Sequence, residues 1–456
     1  MTADDPTLDA PAPWLEVDAL LDDPATRIVV CCGSGGVGKT TTAAALGVRA
    51  AERGRRAVVL TIDPARRLAQ SMGISELDNV PRQVKGVDGA AGGELHAMML
   101  DMKRTFDEIV EGHADATRAR AILENPFYQS LSAGFAGTQE YMAMEKLGQL
   151  RARDEWDLII VDTPPSRSAL DFLDAPKRLG SFLDGKFIRV LMAPAKVGGR
   201  AGMKFLNAGM SMMTGTLSKL MGGQLLRDVQ TFVAAMDTMF GGFRTRADAT
   251  YRLLQAPGTA FLVVAAPERD ALREAAYFVE RLAAERMPLA GLVLNRVHGS
   301  GAATLSAERA LAAAETLTDC AGEDGGEASE GGAEPAAPSG AAPEAAENLG
   351  ADGIVDQGDG KAASGTADGP SPAPAAPPAS PTVSAEHLAA GLLRLHAERM
   401  QVLDRERRTR DRFTALHPEV PVAEIAALPG DVHDLDGLRL IGDRLALDPT
   451  HTDAPD

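Results

Sequence analysis

One short segment of the chain has residue types and spacing suited to binding phosphate groups. Residues 33–40 read G-S-G-G-V-G-K-T, which satisfies the pattern G-x-x-x-x-G-K-[ST]. Glycines let the backbone curl until successive N–H groups point at phosphate oxygens, and a helix N-terminus adds its positive end. Lys39 is expected to contact the β- and γ-phosphates, and the Thr40 hydroxyl to be a magnesium ligand. The predicted binding residues are Gly33, Ser34, Gly35, Gly36, Val37, Gly38, Lys39, Thr40 and Thr41.

Two aspartates follow apolar runs and could complete such a site. Asp162 ends the run W-D-L-I-I-V-D, where a buried carboxylate needs a cation or strong donors to stay charged. It is predicted to hold magnesium directly or through water. Asp63 ends A-V-V-L-T-I-D, and the carboxyl ends of parallel strands meet the ligand crevice. Asp63 is predicted to orient or deprotonate an attacking water, with a structural turn cap as the alternative.

The elements that would position these residues follow from the apolar runs. Most are continuous Val/Ile/Leu stretches rather than alternating ones, as a parallel sheet covered on both faces requires. Helical patterns separate them, which predicts a doubly wound α/β sheet with a helix starting near Lys39. The predicted strands are 27–32, 57–62, 95–100, 157–161, 261–265, 289–294 and 420–425, and a long helix is predicted at 385–416.

Two gaps between strands are too long for single crossovers, and helical insertions are predicted at about 101–156 and 171–258. The second contains a heptad-like apolar stripe rich in methionine. Two interpretations stay open: the stripe packs as core, or it forms a groove for a hydrophobic peptide or lipid, to which flexible Met is suited. The stripe consists of Met203, Leu206, Met210, Met213, Leu217 and Leu220.

The charge of the chain is concentrated in one segment. Acidic residues number 64 and basic residues 46, a net charge of −18, of which −11 falls in residues 319–383. That segment is rich in Gly and Pro and has no aromatic residue, so it cannot bury enough apolar surface to order itself, and a disordered linker is predicted. The acidic balance argues against a nucleic-acid partner. Three cysteines exclude a disulfide scaffold, and the absence of a membrane-spanning run or a leader predicts a cytoplasmic location.

These boundaries divide the chain into five parts. A tail with a short helix occupies 1–26, a core with the phosphate loop 27–318, the linker 319–383, a helix, strand and helix that complete the core 384–447, and a tail 448–456.

Several segments beyond the phosphate loop are distinctive. They are T-I-D-P-A-R-R-L-A at 61–69, G-T-Q-E-Y-M-A-M-E-K-L-G-Q-L at 137–150, V-D-T-P-P-S at 161–166, L-V-L-N-R at 292–296 and A-L-P-G-D-V-H-D-L-D-G-L at 427–438. The doubled glycine before V-G-K-T is typical of the deviant Walker A subgroup of P-loop ATPases. With these segments the chain resembles the arsenite-pump ATPases (ArsA), a family that includes the factors that deliver tail-anchored membrane proteins. More narrowly, it looks like the actinobacterial members described as anion-transporting, which are similar in C-C-G-x-G-G-V-G-K-T-T-T and in the segment 137–150.

The resemblance implies a Mg²⁺-dependent ATPase that acts as a dimeric switch, with itself or with a related chain. It makes Asp63 the hydrolytic aspartate of switch I, places Asp162 in switch II and matches Asn295 to the asparagine that recognises adenine. An Asn amide offers a donor and an acceptor to a base edge, although Asn295 could equally be a strand-end turn residue. A transport partner or a hydrophobic client is implied as well.

The chain departs from this family where charge matters most. The family's loop has an extra lysine at the position of Ser34, which reaches the partner's phosphates; a serine cannot supply that charge. Three explanations are open: slow hydrolysis, substitution by an arginine such as Arg66, Arg67 or Arg167, or completion by a lysine-bearing related subunit. The third predicts a nucleotide-gated binding subunit with little turnover alone. A partition-type ATPase is disfavoured by the absence of a terminal amphipathic anchor or basic face, and an arsenite pump by the scarcity of thiols.

Overall fold

The apolar runs assemble into an eight-stranded sheet in the computed structural model, which describes residues 13–62, 66–74, 77–126, 128–129, 138–164, 245–323 and 385–447. The strand order is β3-β4-β2-β5-β1-β6-β7-β8, and every pairing is parallel except that of β3 with β4. The strands are β1 (Ile28–Cys32), β2 (Arg56–Thr61), β3 (Arg82–Gln83), β4 (Glu94–Met99), β5 (Leu158–Asp162), β6 (Thr259–Ala265), β7 (Leu289–Val297) and β8 (Val422–Ala426).

Helices lie between most of the strands in the chain. They are α1 (Val17–Asp22), α2 (Lys39–Glu52), α3 (Arg66–Ser71), α4 (Met102–His113), α5 (Ala116–Leu123), α6 (Thr138–Arg153), α7 (Arg269–Ala284), α8 (Ala307–Glu323), α9 (Ala385–Leu416) and α10 (Leu435–Ala446). Residues 245–254 are helical too. None of the helices in the described part of the chain is both long and apolar enough to cross a bilayer.

The two faces of the sheet bury separate cores. Ile28, Val30 and Cys32 of β1 belong to the core beneath α4, α6 and α7, whereas Val29 and Cys31 belong to the core beneath α2 and α10. Successive side chains of a strand point to opposite faces, so a strand buried on both must be apolar throughout. The predicted doubly wound, mostly parallel α/β fold is therefore confirmed.

Some boundaries differ from those predicted. Strand β3 has two residues and no hydrophobic pattern, so sequence periodicity could not reveal it. Helix α8 ends at Glu323, so its last five residues, 319–323, fall within the segment expected to be linker. An acidic composition does not by itself end a helix. The rest of the linker, 324–383, the methionine-rich stripe and the tail 448–456 lie outside the described residues.

The chain divides into two compact units. The first, Met1–Gly301 with Val402–Asp456, contains the sheet. The second, Ala302–Gln401, contains α8 and the first part of α9. Arg394 of α9 donates a hydrogen bond of 3.2 Å to Thr318 of α8, and His396 Nε2 lies 2.8 Å from the carbonyl of Leu305, which precedes α8.

Candidate nucleotide site

The glycine-rich segment lies where a phosphate loop must lie, between β1 and α2. Because β1 sits between β5 and β6, the loop emerges at the carboxyl edge of the middle of the sheet. Helix α2 begins at Lys39, as predicted, and its first N–H groups have no partner within the helix. Gly33, Gly36 and Gly38 have φ angles of +149°, +77° and +93°, a region that L-residues with side chains rarely enter.

Gly33 is required by a neighbouring strand as well as by its φ angle. A Cβ atom on Gly33 would come closer than 3.0 Å to the carbonyl oxygen of Val264, a fully buried residue of β6. Backbone cannot move aside as a flexible side chain can. By contrast, a Cβ atom on Gly36 would meet no atom within 4 Å.

The side chain of the loop's lysine, Lys39, points back toward the loop backbone. Lys39 is only 5% exposed, and its Nζ donates a hydrogen bond to the backbone carbonyl of Ser34, 2.8 Å away. The Ser34 hydroxyl is buried and has no hydrogen-bond partner among the described residues. The arrangement holds one buried positive charge inside the loop, and the side chain at position 34 adds none.

A carboxylate lies against the first turn of α2. Asp162 ends β5 and is fully buried, and its Oδ2 accepts a hydrogen bond of 2.6 Å from the Thr40 hydroxyl. The same oxygen accepts a second bond of 3.0 Å from the hydroxyl of Thr61, its partner in the β2–β5 register. Two hydroxyl donors help to keep a buried carboxylate charged. The Thr40–Asp162 pair consists of hard oxygen donors, which suit Mg²⁺.

Thr61 was not predicted from the sequence. It looks like the last residue of an apolar strand, and only the register of two parallel strands far apart in the chain brings its hydroxyl to Asp162. The signal that could have found it is a hydroxyl residue at the carboxyl end of the strand expected to lie beside the Asp162 strand.

Asp63 lies outside the described residues, which end at Ile62 and resume at Arg66. The Ile62 carbonyl accepts a hydrogen bond of 2.9 Å from Gln139 Nε2, in the first turn of α6. Gln139 belongs to the segment 137–150 noted in the sequence, which therefore contacts the backbone at the end of the strand preceding Asp63.

Helix α6 is itself fixed by two ion pairs of low exposure. Lys146 Nζ lies 2.9 Å from Glu108 of α4, and Glu145 lies 2.8 Å from Arg246 of the helical residues 245–254. The Lys146 and Glu145 side chains are 5% and 4% exposed, so removing the partner of either would leave a buried charge unpaired. These contacts join α4, α6 and the helical residues 245–254 to one another.

The two cysteines of β1 do not form a metalloid site. Both are buried, on opposite faces of the sheet. Burial raises the pKa of the Cys31 thiol well above its ordinary value, with Asp162 adding to the effect, and burial raises that of Cys32 to about 12. A protonated, buried thiol is a poor nucleophile and a poor metal ligand.

Asn295 of β7 reaches the phosphate loop. It is 6% exposed, and its Nδ2 donates a hydrogen bond of 2.8 Å to the Val37 carbonyl. Adenine recognition by Asn295 stays a prediction, because this contact is with the loop and not with a base. Its position beside the loop brings Asn295 together with Lys39, Thr40 and Asp162 in one region of the first unit.

Comparison with known proteins bears on this geometry. A family model described as "Anion-transporting ATPase" matches residues 26–305, more than half of the chain and all of β1 to β7. The chain belongs to the anion-transporting ATPase family. The predicted ArsA-like resemblance is thereby confirmed, and membership makes the chain an ATPase.

Individual relatives agree with the family. The chain is 30% identical over 171 residues to ATPase GET3 of Malassezia globosa, and the aligned region is 38% of this chain and 48% of that relative. It is 26% identical over 299 residues to ATPase GET3 of Podospora anserina, which covers 65% and 79%. A putative arsenical pump-driving ATPase of Aquifex aeolicus is 27% identical over 157 residues, covering 33% and 38%.

Proposed function

We propose that this ATPase requires Mg²⁺, hydrolyses ATP to ADP and phosphate, and uses the reaction to drive a dimeric switch in the cytoplasm. The observation that carries the proposal is the 2.6 Å hydrogen bond between the Thr40 hydroxyl and Asp162, beside a loop that contains the buried Lys39. A hydroxyl and a carboxylate in contact at the carboxyl edge of a parallel sheet are the protein ligands that a nucleotide-bound Mg²⁺ uses.

Each residue has a chemical part in this proposal. Lys39 binds the β- and γ-phosphates with its ammonium group, which neutralises charge as the γ-phosphorus is transferred to water and the bond to the β–γ bridging oxygen breaks. Thr40 and Asp162 would hold Mg²⁺, directly or through water, and the ion supplies further neutralisation of phosphate charge. Asp63 orients the attacking water or accepts its proton, as the family resemblance implies, and Asn295 recognises adenine.

The test is Mg²⁺-dependent phosphate release by wild-type protein and by Asp162→Asn. The substitution keeps the size of the side chain and removes the charge that attracts the cation. We expect turnover in the wild type that is lost on chelation of Mg²⁺ and reduced at least tenfold in the variant at limiting Mg²⁺. Equal turnover by both proteins at every Mg²⁺ concentration would contradict the assignment of Asp162.

A second function is supported by Ser34. Its side chain is neutral and adds no cation to a loop whose buried positive charge comes from Lys39. A charge supplied across an interface to transferring phosphate is worth about 10³–10⁵ in rate, so a chain without one would bind ATP and turn it over slowly. In this alternative a related, lysine-bearing subunit completes the site. Mixing with such a subunit would then stimulate turnover, and the absence of stimulation by any lysine-bearing paralogue would refute the alternative.

The partners are proposed from the family rather than from contacts. The relatives named GET3 and the arsenical pump-driving ATPase support a partner that is a transport protein or a hydrophobic client, and a homodimer or a heterodimer with a related ATPase subunit. A nucleic acid is not among the proposed partners, because the chain has a net charge of −18.

A further inference from the structure

The phosphate loop is attached to a strand other than the one it follows. Asn295 lies in β7, two strands away from β1 in the sheet, yet its Nδ2 donates a hydrogen bond of 2.8 Å to the carbonyl of Val37 in the loop. Val37 is itself 3% exposed. The contact therefore joins two buried groups that are 258 residues apart in the chain, where a hydrogen bond is worth more than at the surface.

The direction of the Asn295 amide is set by a second bond. Its Oδ1 accepts a hydrogen bond of 2.9 Å from the backbone N–H of Arg296. Because Val37 presents an acceptor and Arg296 presents a donor, only one of the two amide orientations satisfies both. Arg296 has a φ angle of +61°, and the pairing of β7 with β8 shifts between Asn295 and Val297. Asn295 thus lies directly beside an irregularity of the strand.

The loop is also shaped to receive this amide. Gly38, between Val37 and Lys39, has a φ angle of +93°, and a Cβ atom there would come closer than 3.0 Å to Asn295 Nδ2. The glycine that precedes the lysine is thus the point at which the loop backbone and the Asn295 side chain pack together. A larger residue on either side would push the other away.

We infer that Asn295 is a positioning residue for the phosphate loop and so couples the base-binding end of the site to the phosphate-binding end. An Asn amide has two N–H donors and two acceptor lone pairs, and the loop and Arg296 use one of each. Within the described residues, one donor and one lone pair stay available for a base edge. This inference rests on the proposed ATP site, and it assigns Asn295 a role that does not require a base at all.

A base-free ligand separates this role from base recognition. The experiment measures, by isothermal titration calorimetry in Mg²⁺, the affinity of full-length protein for ATP and for inorganic tripolyphosphate. Asn295→Asp keeps the shape and the acceptor oxygen but replaces the donor that faces Val37 with a second oxygen. Asn295→Ala removes the side chain and keeps the test available if the carboxylate variant does not fold. Asn79→Ala is the matched control, since Asn79 is also buried, at 4% exposure, and hydrogen-bonds α4 instead of the loop.

We expect both Asn295 variants to bind tripolyphosphate about tenfold or more weakly, the usual effect of losing a buried hydrogen bond, while the control binds it as the wild type does. Unchanged tripolyphosphate affinity alongside weakened ATP affinity would overturn the inference, because Asn295 would then serve the base alone, and the proposed function would stand. A wild type that binds neither ligand would refute the proposed function, and the inference with it.

Discussion

Two constraints act on the glycines of the phosphate loop, contact with the neighbouring strand β6 and a positive φ angle. Replacing one glycine with alanine at each of two positions separates them. Gly33→Ala puts a Cβ atom against the Val264 carbonyl of a buried strand and also forces a side chain into a φ angle of +149°. Gly36→Ala meets no atom within 4 Å and changes only the backbone preference at a φ angle of +77°. The pair therefore measures how far the loop is held by the sheet rather than by glycine's freedom.

The expected magnitudes differ by several fold. For Gly36→Ala the left-handed conformation costs about 1–2 kcal/mol, offset by about 0.4–1 kcal/mol from the stiffer unfolded chain. For Gly33→Ala a glycine-only conformation costs about 1–3 kcal/mol and the displaced strand about 1–3 kcal/mol more, less the same offset from the stiffer unfolded chain. At about 2 °C of melting temperature per kcal/mol, the apparent Tm should fall by about 2 °C for Gly36→Ala and about 7 °C for Gly33→Ala.

Thermal unfolding followed by circular dichroism, without nucleotide, measures both shifts on the same day and at one scan rate. One scan rate is used for both variants because the apparent Tm of a chain that unfolds irreversibly depends on the scan rate. If Gly33→Ala lowered the apparent Tm no more than Gly36→Ala, the loop would not be pressed against β6, and the reasoning from Val264 would be refuted.

Two further predictions concern the groups around Asp162. Thr61→Val removes a hydroxyl that donates to the carboxylate, so the Mg²⁺ concentration for half-maximal turnover should rise about 5–10-fold in a titration of turnover with Mg²⁺. The control is Thr42→Val, which removes a buried hydroxyl without a hydrogen-bond partner among the described residues and should leave that concentration unchanged. Burial raises the pKa of Cys31 and raises that of Cys32 to about 12, so both thiols should stay protonated at pH 8. A Cys320→Ser variant, whose remaining cysteines are these two, should therefore react with a thiol reagent only after unfolding. Rapid reaction of the folded variant at pH 8 would contradict their burial.

Much of the sheet could be predicted because its strands are buried on both faces. A run such as residues 28–32 has no alternating pattern to interpret, and only its length and β-branched composition mark it as a strand, yet these sufficed. The phosphate loop was found for a different reason, since its glycines satisfy local φ angles that any sequence must meet to make the same turn. Both signals are local.

The remaining features depend on contacts between distant parts of the chain. Thr61 meets Asp162 only through the β2–β5 register, Gln139 meets the Ile62 carbonyl only once α6 is packed, and the amide of Asn295 reaches Val37 across two strands. No spacing in the sequence encodes these distances. The resemblance to the family singled out Asn295 for its expected base contact, and the structure adds the loop contact that no motif describes.

The measurement that tests the central proposal most directly is the ATP turnover of the purified chain across a wide range of protein concentration, with Lys39→Ala as the blank. The substitution removes the buried ammonium group that faces the loop while leaving Thr40 and Asp162 in place. The account predicts phosphate release whose specific activity rises with protein concentration, as a dimeric switch requires, and which is absent in the variant. Turnover by the wild type that equals the blank at every concentration would contradict it.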